Sequence, residues 1–326
     1  MANLQIAPAN YVAGFRVEWR RFWASKLRRH EALDGYLFIL PWLLGLLIFT
    51  LGPFVAGFYF SLTQFDVLSR PQWIGFENYQ HIMVDRKFWL AAGNTIWYVT
   101  FSVLPGVGLS LLLAILLNQK VRGISIYRTV FYMPSIVPAV ASISLFLFIM
   151  HDRFGLLNEF LFQTFHIVGP QWLTSPEWSK PSLVLWSLWG IGGGMIIYLA
   201  GLQNIPEALY EAASIDGAGT LRRFWNITLP MISPTILFVL TLSIIGSFQI
   251  FTPVFLLGAQ HATAAAGPMD SLLFWVVYIY NQGFFYFQMG YASALAWLLF
   301  IVLVLLTIIQ FRLADRWVYY EGDIRQ

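Results

Sequence analysis

The chain has 326 residues, 58% of them apolar and 11% charged, against about half apolar and about a quarter charged in a water-soluble domain. With a mean hydropathy of +0.67 too little polar surface remains to coat a soluble globule, so the class is integral membrane protein. Cysteine is absent, which excludes disulfides, thiolate nucleophiles and cysteine-based metal sites together.

In chain order, residues 1–34 form a polar, basic N-terminal segment with no apparent cleavable signal sequence. Within it Phe15, Trp19, Phe22, Trp23 and Leu27 recur at helical spacing among arginines. That pattern predicts an amphipathic helix lying on the anionic inner leaflet, or alternatively a docking arm. A helix needs roughly 20 apolar residues to cross the hydrocarbon core, and six stretches qualify: Tyr36 to Leu62, Thr95 to Leu117, Ile124 to Met150, Leu183 to Leu202, Ile232 to Leu257 and Tyr291 to Phe311. The apolar patch Leu272 to Tyr280 is too short to span and reads as a re-entrant or interfacial helix. Continuous apolar runs, without period-two alternation, predict helices and exclude a barrel. Residues 35–312 are thus one six-helix domain, and 313–326 a C-terminal tail.

Orientation follows from lysine and arginine, which accumulate on the cytoplasmic side. Fourteen of them (Arg16, Arg20, Arg21, Lys26, Arg28, Arg29, Lys120, Arg122, Arg128, Arg222, Arg223, Arg312, Arg316 and Arg325) share the side of the N-terminus. Only Arg70, Arg86, Lys87, Arg153 and Lys180 lie opposite. Both termini and the loop at 204–231 are expected inside; the loops at 64–94, 151–181 and 259–290 are expected outside.

The loop at 204–231 is patterned as a short helix with a built-in stop. Pro206 suits a first turn, Glu207 and Glu211 favour the positive end of the helix dipole, and Ala208, Ala212 and Ala213 are strong helix formers. Asp216-Gly217 terminates it, because glycine accepts the left-handed conformation. A second helical run from Thr220 to Thr228 leads through Leu229-Pro230 into the fifth span. On pattern alone this could be an ordinary loop helix.

The string Glu211-Ala212-Ala213, with Gly217 after three residues and Ile227, Leu229 and Pro230 further on, resembles the EAA motif of ABC importer permeases. Similar strings extend over nearly all the chain: Phe131-Tyr-Met-Pro134-Ser-Ile-Val-Pro138, Gly155-Leu-Leu-Asn158, Tyr198-Leu-Ala-Gly-Leu-Gln203, Met289-Gly290-Tyr291-Ala-Ser-Ala294 and Arg316-Trp-Val-Tyr-Tyr-Glu321. They are most similar to the carbohydrate group, particularly the larger permease of the maltose importer. The resemblance implies an ATPase-coupling role for Glu211, Ala212, Ala213, Asp216, Gly217, Leu229 and Pro230. It also implies a bacterial inner-membrane location and three partners: a second homologous permease, a dimer of ATP-binding subunits that hold ATP and magnesium, and an external solute-binding protein. One departure is Ala266-Gly267-Pro268, where the family usually has Gly-Gly-Pro beside threonines, in the loop expected to face the binding protein.

Other chemistries are poorly provided for. No Asp, Glu, Lys or His falls inside the six apolar runs, as an ion-coupled carrier would require, and no Gly-x-x-x-x-Gly-Lys-[Ser/Thr] phosphate loop is present. Free energy is expected from a separate ATPase. No metal-ligand spacing, nucleophile elbow or carboxylate pair marks a membrane enzyme; no catalytic or metal residues, resident cofactor or nucleic-acid partner are expected. Spans four and five carry the groups suited to a sugar, with aromatic faces, hydroxyls and glycines that permit close helix approach. Gln249 is the polar residue that most needs a partner at membrane depth. Offsets from Glu211 and Pro230 match the family's sugar-contacting positions to Trp186, Trp189, Gly190, Gly193, Ser243, Gly246, Ser247 and Ile250. Several differ from the residue types that hold maltose, so the resemblance implies another saccharide. The two tryptophans could equally form an interfacial belt, and the glycines could serve packing alone.

Overall fold

The computed structural model describes residues 26–119, 121–258 and 266–319. Most of the expected amphipathic helix, the alanine-rich stretch 259–265 and the tail from residue 320 lie outside them. The chain divides into two compact units, residues 1–59 and 60–326.

In the first unit, α1 (Lys26–Gly45) runs through a widened turn at Leu46–Leu51 into α2 (Gly52–Ser61). The widening has a local cause. Pro53 has no N–H, and its ring would strike the carbonyl four residues back, so Gly52 donates instead to Leu47 O, five residues back. The apolar side chains along this helix are exposed, Phe38 at 85% and Phe49 at 79%.

The second unit begins with a two-residue antiparallel pair, β1 (Thr63–Gln64) with β2 (Gln72–Trp73). The short helix α3 (Glu77–Val84) follows, then α4 (Arg86–Leu117). At 32 residues and 1.5 Å per residue, α4 is roughly 48 Å long. It starts earlier than the apolar run because the Asp85 carboxylate accepts from Lys87 N at 2.9 Å, capping the helix outside the apolar stretch.

Spans three and four are not the continuous helices that apolarity suggests. The third is α5 (Ile124–Ile136) and α6 (Ala139–Ile149), bent by 96°, and the fourth is α8 (Pro176–Trp189) and α9 (Gly192–Gln203), bent by 42°; α7 (Leu156–Phe165) lies between them. Pro138 forces Val137 into an extended conformation in the first bend. Gly190 and Ile191 form the second. After α10 (Glu207–Ile215) and α11 (Thr220–Arg223), α12 (Leu229–Phe248) stops at Gln249, and α13 (Thr252–Gly258) follows. The last elements are α14 (Trp275–Tyr280) and α15 (Met289–Ala314). Among the described residues four helices are long and apolar enough to cross a bilayer, and six spans result when each bent pair counts as one.

The segment 272–280, too short to span, is buried in protein. Leu272, Leu273, Phe274 and Trp275 join the largest apolar core, and polar side chains stitch the segment down. Asn94 of α4 donates to Asp270 O and Leu273 O at 2.9 and 3.1 Å, Thr95 Oγ1 accepts from Trp275 N at 2.9 Å, and Ser179 and Ser271 hydroxyls meet at 3.0 Å. Lys180, brought onto α8 by the early start of that helix, donates to Asn94 Oδ1 at 3.1 Å. Asp85 accepts from the hydroxyls of Tyr278 and Tyr291, the latter at 2.6 Å. Partial burial pushes its carboxyl up, but these hydroxyls and two backbone N–H groups outweigh it and hold the group below the ordinary carboxylate range.

Two measurements check this packing. A Cβ at Gly192 would overlap Phe131 O and lie 2.9 Å from Tyr132 Cα, both backbone atoms, whereas at Gly193 it would meet Ser135 Cβ at 3.8 Å. Gly192→Ala is therefore expected to cost about 1–3 kcal/mol and Gly193→Ala little, read as a fall in thermal midpoint of roughly 3 °C or more for the first variant only. Asp85, with its lowered folded-state pKa, contributes stability that is full above its unfolded pKa and fades as pH falls through the lower folded value. Tyr291→Phe should lower the midpoint at pH 7, with the difference from wild type shrinking in acid below the usual carboxylate range.

Candidate functional site

Two features stand out in the second unit, and the same helices carry both. The first is a cavity of about 280 Å³ between α4, the α8–α9 junction and α12. Its hydroxyls come from Ser102, Ser110, Ser187, Ser243 and Ser247, its open wall from Gly106, Gly190, Gly194 and Gly246, and no charged or aromatic residue lines it. Ser110 and Ser187 bond back to Val107 O and Val184 O at 3.0 and 2.7 Å. Ser102 Oγ is buried with the Tyr98 hydroxyl as a polar neighbour but no well-formed hydrogen bond, so a polar guest in the cavity would satisfy it. Such a lining has no general acid, base or nucleophile; it can donate to and accept from uncharged polar groups.

Of the residues singled out from sequence, Gly190, Ser243, Gly246 and Ser247 come together on this cavity. The others lie off its wall. Trp186 Nε1 donates to Ser142 Oγ at 2.9 Å, Trp189 sits 6.2 Å from the Phe146 ring, and Ile250 packs against the main core. Gly193 faces Ser135. Gln249 is exposed where α12 ends, so the helix break, and not a continuous span, accommodates its amide. The wall from α4 was missed by the sequence reading. Ser102, Gly106 and Ser110 do recur every four residues on one helix face, a small-residue stripe that carries this signal.

The second feature is a two-helix knob between α9 and α12. Glu207 opens α10 just after Pro206, and Asp216 ends it. Gly217 takes φ +73°, Ala218 N donates to Ala213 O at 2.8 Å and Gly217 N to Ser214 O at 3.1 Å. Those two bonds form a Schellman stop. Arg223 Nε then donates to Ala218 O at 2.7 Å, holding α11 against the turn. Pro230 repeats the effect of Pro53: Leu229 N donates to Phe224 O, five residues back, and residues 224–228 form a widened turn. Tyr210 and Thr228 hydroxyls meet at 2.9 Å, and Tyr210 and Ile227 pack on a core containing Leu202, Ile205 and Ile232. The root of the knob is fixed while its tip is open. Glu211, Ala212, Asp216 and Gly217 are exposed, Ala213 half-buried, and apolar Ile215, Leu221 and Trp225 stand in the open at 87%, 71% and 58%.

This geometry can be set beside known proteins. Residues 106–319 match the family model described as "Binding-protein-dependent transport system inner membrane component". The chain belongs to that family of ABC transporter permeases. The permease is 37% identical to the probable ABC transporter permease protein YesP of Bacillus subtilis, over 91% of this chain and 96% of that one. It is 31% identical to the arabinooligosaccharides transport system permease protein AraP of the same organism, over 91% of each. Among solved structures it superposes with a TM-score of 0.78 and 25% identity on a chain of a bacterial ABC transporter involved in import of the acidic polysaccharide alginate, covering 91% of this permease and 99% of that chain.

The Schellman stop makes a specific demand on residue 217. No atom lies within 4 Å of a Cβ built there, so Gly217→Ala meets only the penalty of a left-handed residue, about 1 kcal/mol. Amide exchange of residues 212–218 should accelerate roughly fivefold, with thermal unfolding of the remainder nearly unchanged.

Proposed function

We propose that this permease is one membrane half of an ABC importer of uncharged saccharides, driven by separate ATP-binding subunits docked on the knob of α10 and α11. The observation that carries the reading is mechanical. The two elements flanking the knob, α9 and α12, also wall the serine-lined cavity, so force applied at Glu211–Gly217 reaches the cavity through helices of only 12 and 20 residues.

Hydroxyls without charge suit a sugar better than an ion, and the curated relatives include permeases named for arabinooligosaccharides, lactose and trehalose/maltose transport. Exposed Ile215, Leu221 and Trp225 give the knob an apolar surface suited to a groove on an ATPase, with Glu211, Ala212, Ala213, Asp216 and Gly217 at the contact. ATP and magnesium would be held by those subunits. A second homologous permease would complete the pathway, and an external binding protein would deliver the sugar. The positive charge of the loops puts the knob and both termini in the cytoplasm. Alternating access would then open the cavity to each side in turn. An ion-driven carrier would need titratable groups on the cavity, and its lining has none.

The test is uptake into proteoliposomes that contain this chain with its co-purified permease, ATPase and binding protein. Lactose, maltotriose and arabinotriose serve as probes. ATP-dependent uptake of at least one is expected, reduced tenfold or more by Glu211→Ala and by Gly217→Pro, with ATP binding itself intact. Uptake driven by an ion gradient without ATP, or indifferent to both substitutions, would sink the proposal.

A further inference from the structure

A second, larger cavity of about 600 Å³ lies at the other end of α4 from the knob, between the β1–β2 hairpin, α3 and the start of α15. Phe65, Tyr286 and Phe287 line it together with the polar side chains of Gln64, Gln72, Glu77, His81 and Gln288. Among the described residues the side chains of Gln64, Gln72, Glu77 and Gln288 make no hydrogen bond. The frame, by contrast, is fully committed. Asn78 Nδ2 donates to Ser61 O and Thr63 O at 2.9 and 3.0 Å, Gly290 N to Phe65 O at 3.0 Å, and Phe65 stacks on Phe60 at 4.8 Å. Asp66 accepts from Ser69 N and Oγ at 2.7 and 2.6 Å, closing the hairpin loop. Two residues, Val67 at φ +69° and Phe287 at φ +58°, are held in left-handed conformations. Apolar, β-branched or aromatic side chains pay for that geometry, and such strain concentrates at functional sites.

A hydrogen-bonded frame presenting uncommitted amides and a carboxylate beside aromatic side chains is the composition that grips a sugar: rings receive its apolar face, and amides both donate to and accept from its hydroxyls. The volume falls within the range of small-molecule clefts, roughly 300–1,000 Å³. Asp66 and Glu77 line it and no lysine or arginine does, which opposes acidic glycans. We infer that this cavity is a second saccharide site, selective for uncharged sugars, at the mouth that the membrane cavity serves; the inference rests on the proposed saccharide function.

The test uses the detergent-solubilised permease–ATPase complex without its binding protein. Saturation-transfer NMR and calorimetry are run with lactose, maltotriose, arabinotriose and an alginate trisaccharide. At least one uncharged sugar should bind, the alginate trisaccharide should not, and Gln64→Ala with Gln288→Ala should weaken binding tenfold or more. Binding should survive Ser243→Val with Ser247→Val in the membrane cavity. Glu77→Lys, a single change on an exposed helix face, should reverse the preference towards the alginate trisaccharide. Binding abolished only by the Ser243 and Ser247 changes, or absent for every sugar, overturns the inference. ATP-driven sugar uptake by the same preparation then shows whether the importer function stands without it; pocket binding with no ATP-driven uptake would instead remove the importer reading alone.

Discussion

Hydrocarbon offers no hydrogen bonds, so every backbone group in a spanning segment must find its partner inside the protein. Among the described residues the permease breaks its spanning helices in three places, and the site depends on how those breaks are satisfied. At the first, Val137 N donates to Pro134 O at 3.3 Å and Ser142 N to Pro138 O at 3.0 Å. At the second, Gly190 N donates to Ser187 O at 3.2 Å and Met195 N to Ile191 O at 3.1 Å. At the third, Gln249 N donates to Ile245 O at 3.2 Å and Phe255 N to Phe251 O at 2.8 Å. Each break thus regains local backbone bonds on both of its sides, and two of the three adjoin the serine cavity. Gly192 draws α9 against the backbone at Phe131 and Tyr132, just ahead of the first break.

Proline acts twice in a different way. Pro53 and Pro230 widen a turn without interrupting their helices, since the residue before each proline bonds five residues back. At Pro230 this matters for the site, because the widened turn positions Ile227 and Thr228 to meet Tyr210, which fixes the knob to its core. Helix α4 runs between the two ends of the unit. Asp85 ties its start to Tyr278 and Tyr291, and Arg128 Nη2 donates to Leu117 O at 2.9 Å at its finish. Ser102, Gly106 and Ser110 sit midway, so the wall they form is anchored from both sides.

Much of this was legible before any coordinates. Apolar run length located the spans, and the order Pro206, Glu207, Ala208, Asp216, Gly217 announced a helix with its stop, because capping is decided by neighbours in sequence. Bends were not legible: Pro134 is accommodated inside α5, whereas Pro138 stands at a 96° bend, and a proline's presence alone does not distinguish the two. Trp186 shows the same limit. Its sequence context allows a sugar-stacking ring or a membrane belt, and its hydrogen bond to Ser142 depends on a helix 44 residues away. The polar cavity at the β1–β2 hairpin is also tertiary, assembled from residues 64–81 and 286–291, which no local period connects.

The chemical contrast between the two cavities bears on where selection occurs. Hydroxyls are weak discriminators: each contributes about 1 kcal/mol net, and a rotating O–H adapts to many partners. Glycine adds no side chain at all. A wall of this kind tolerates varied uncharged guests and resists none strongly, which suits passage, since a tightly held solute leaves slowly. Discrimination needs fixed geometry and fixed charge, because an unpaired or like-charged group is what penalises the wrong ligand. The hairpin cavity comes nearer to both, with planar amides carried on a hydrogen-bonded frame and two carboxylates that share the lining with His81 but with no lysine or arginine. On the proposed reading, the permease therefore selects at its mouth and conducts through an undemanding interior, and changes of specificity among its relatives should concentrate in the hairpin and the start of α15 rather than on the serine wall.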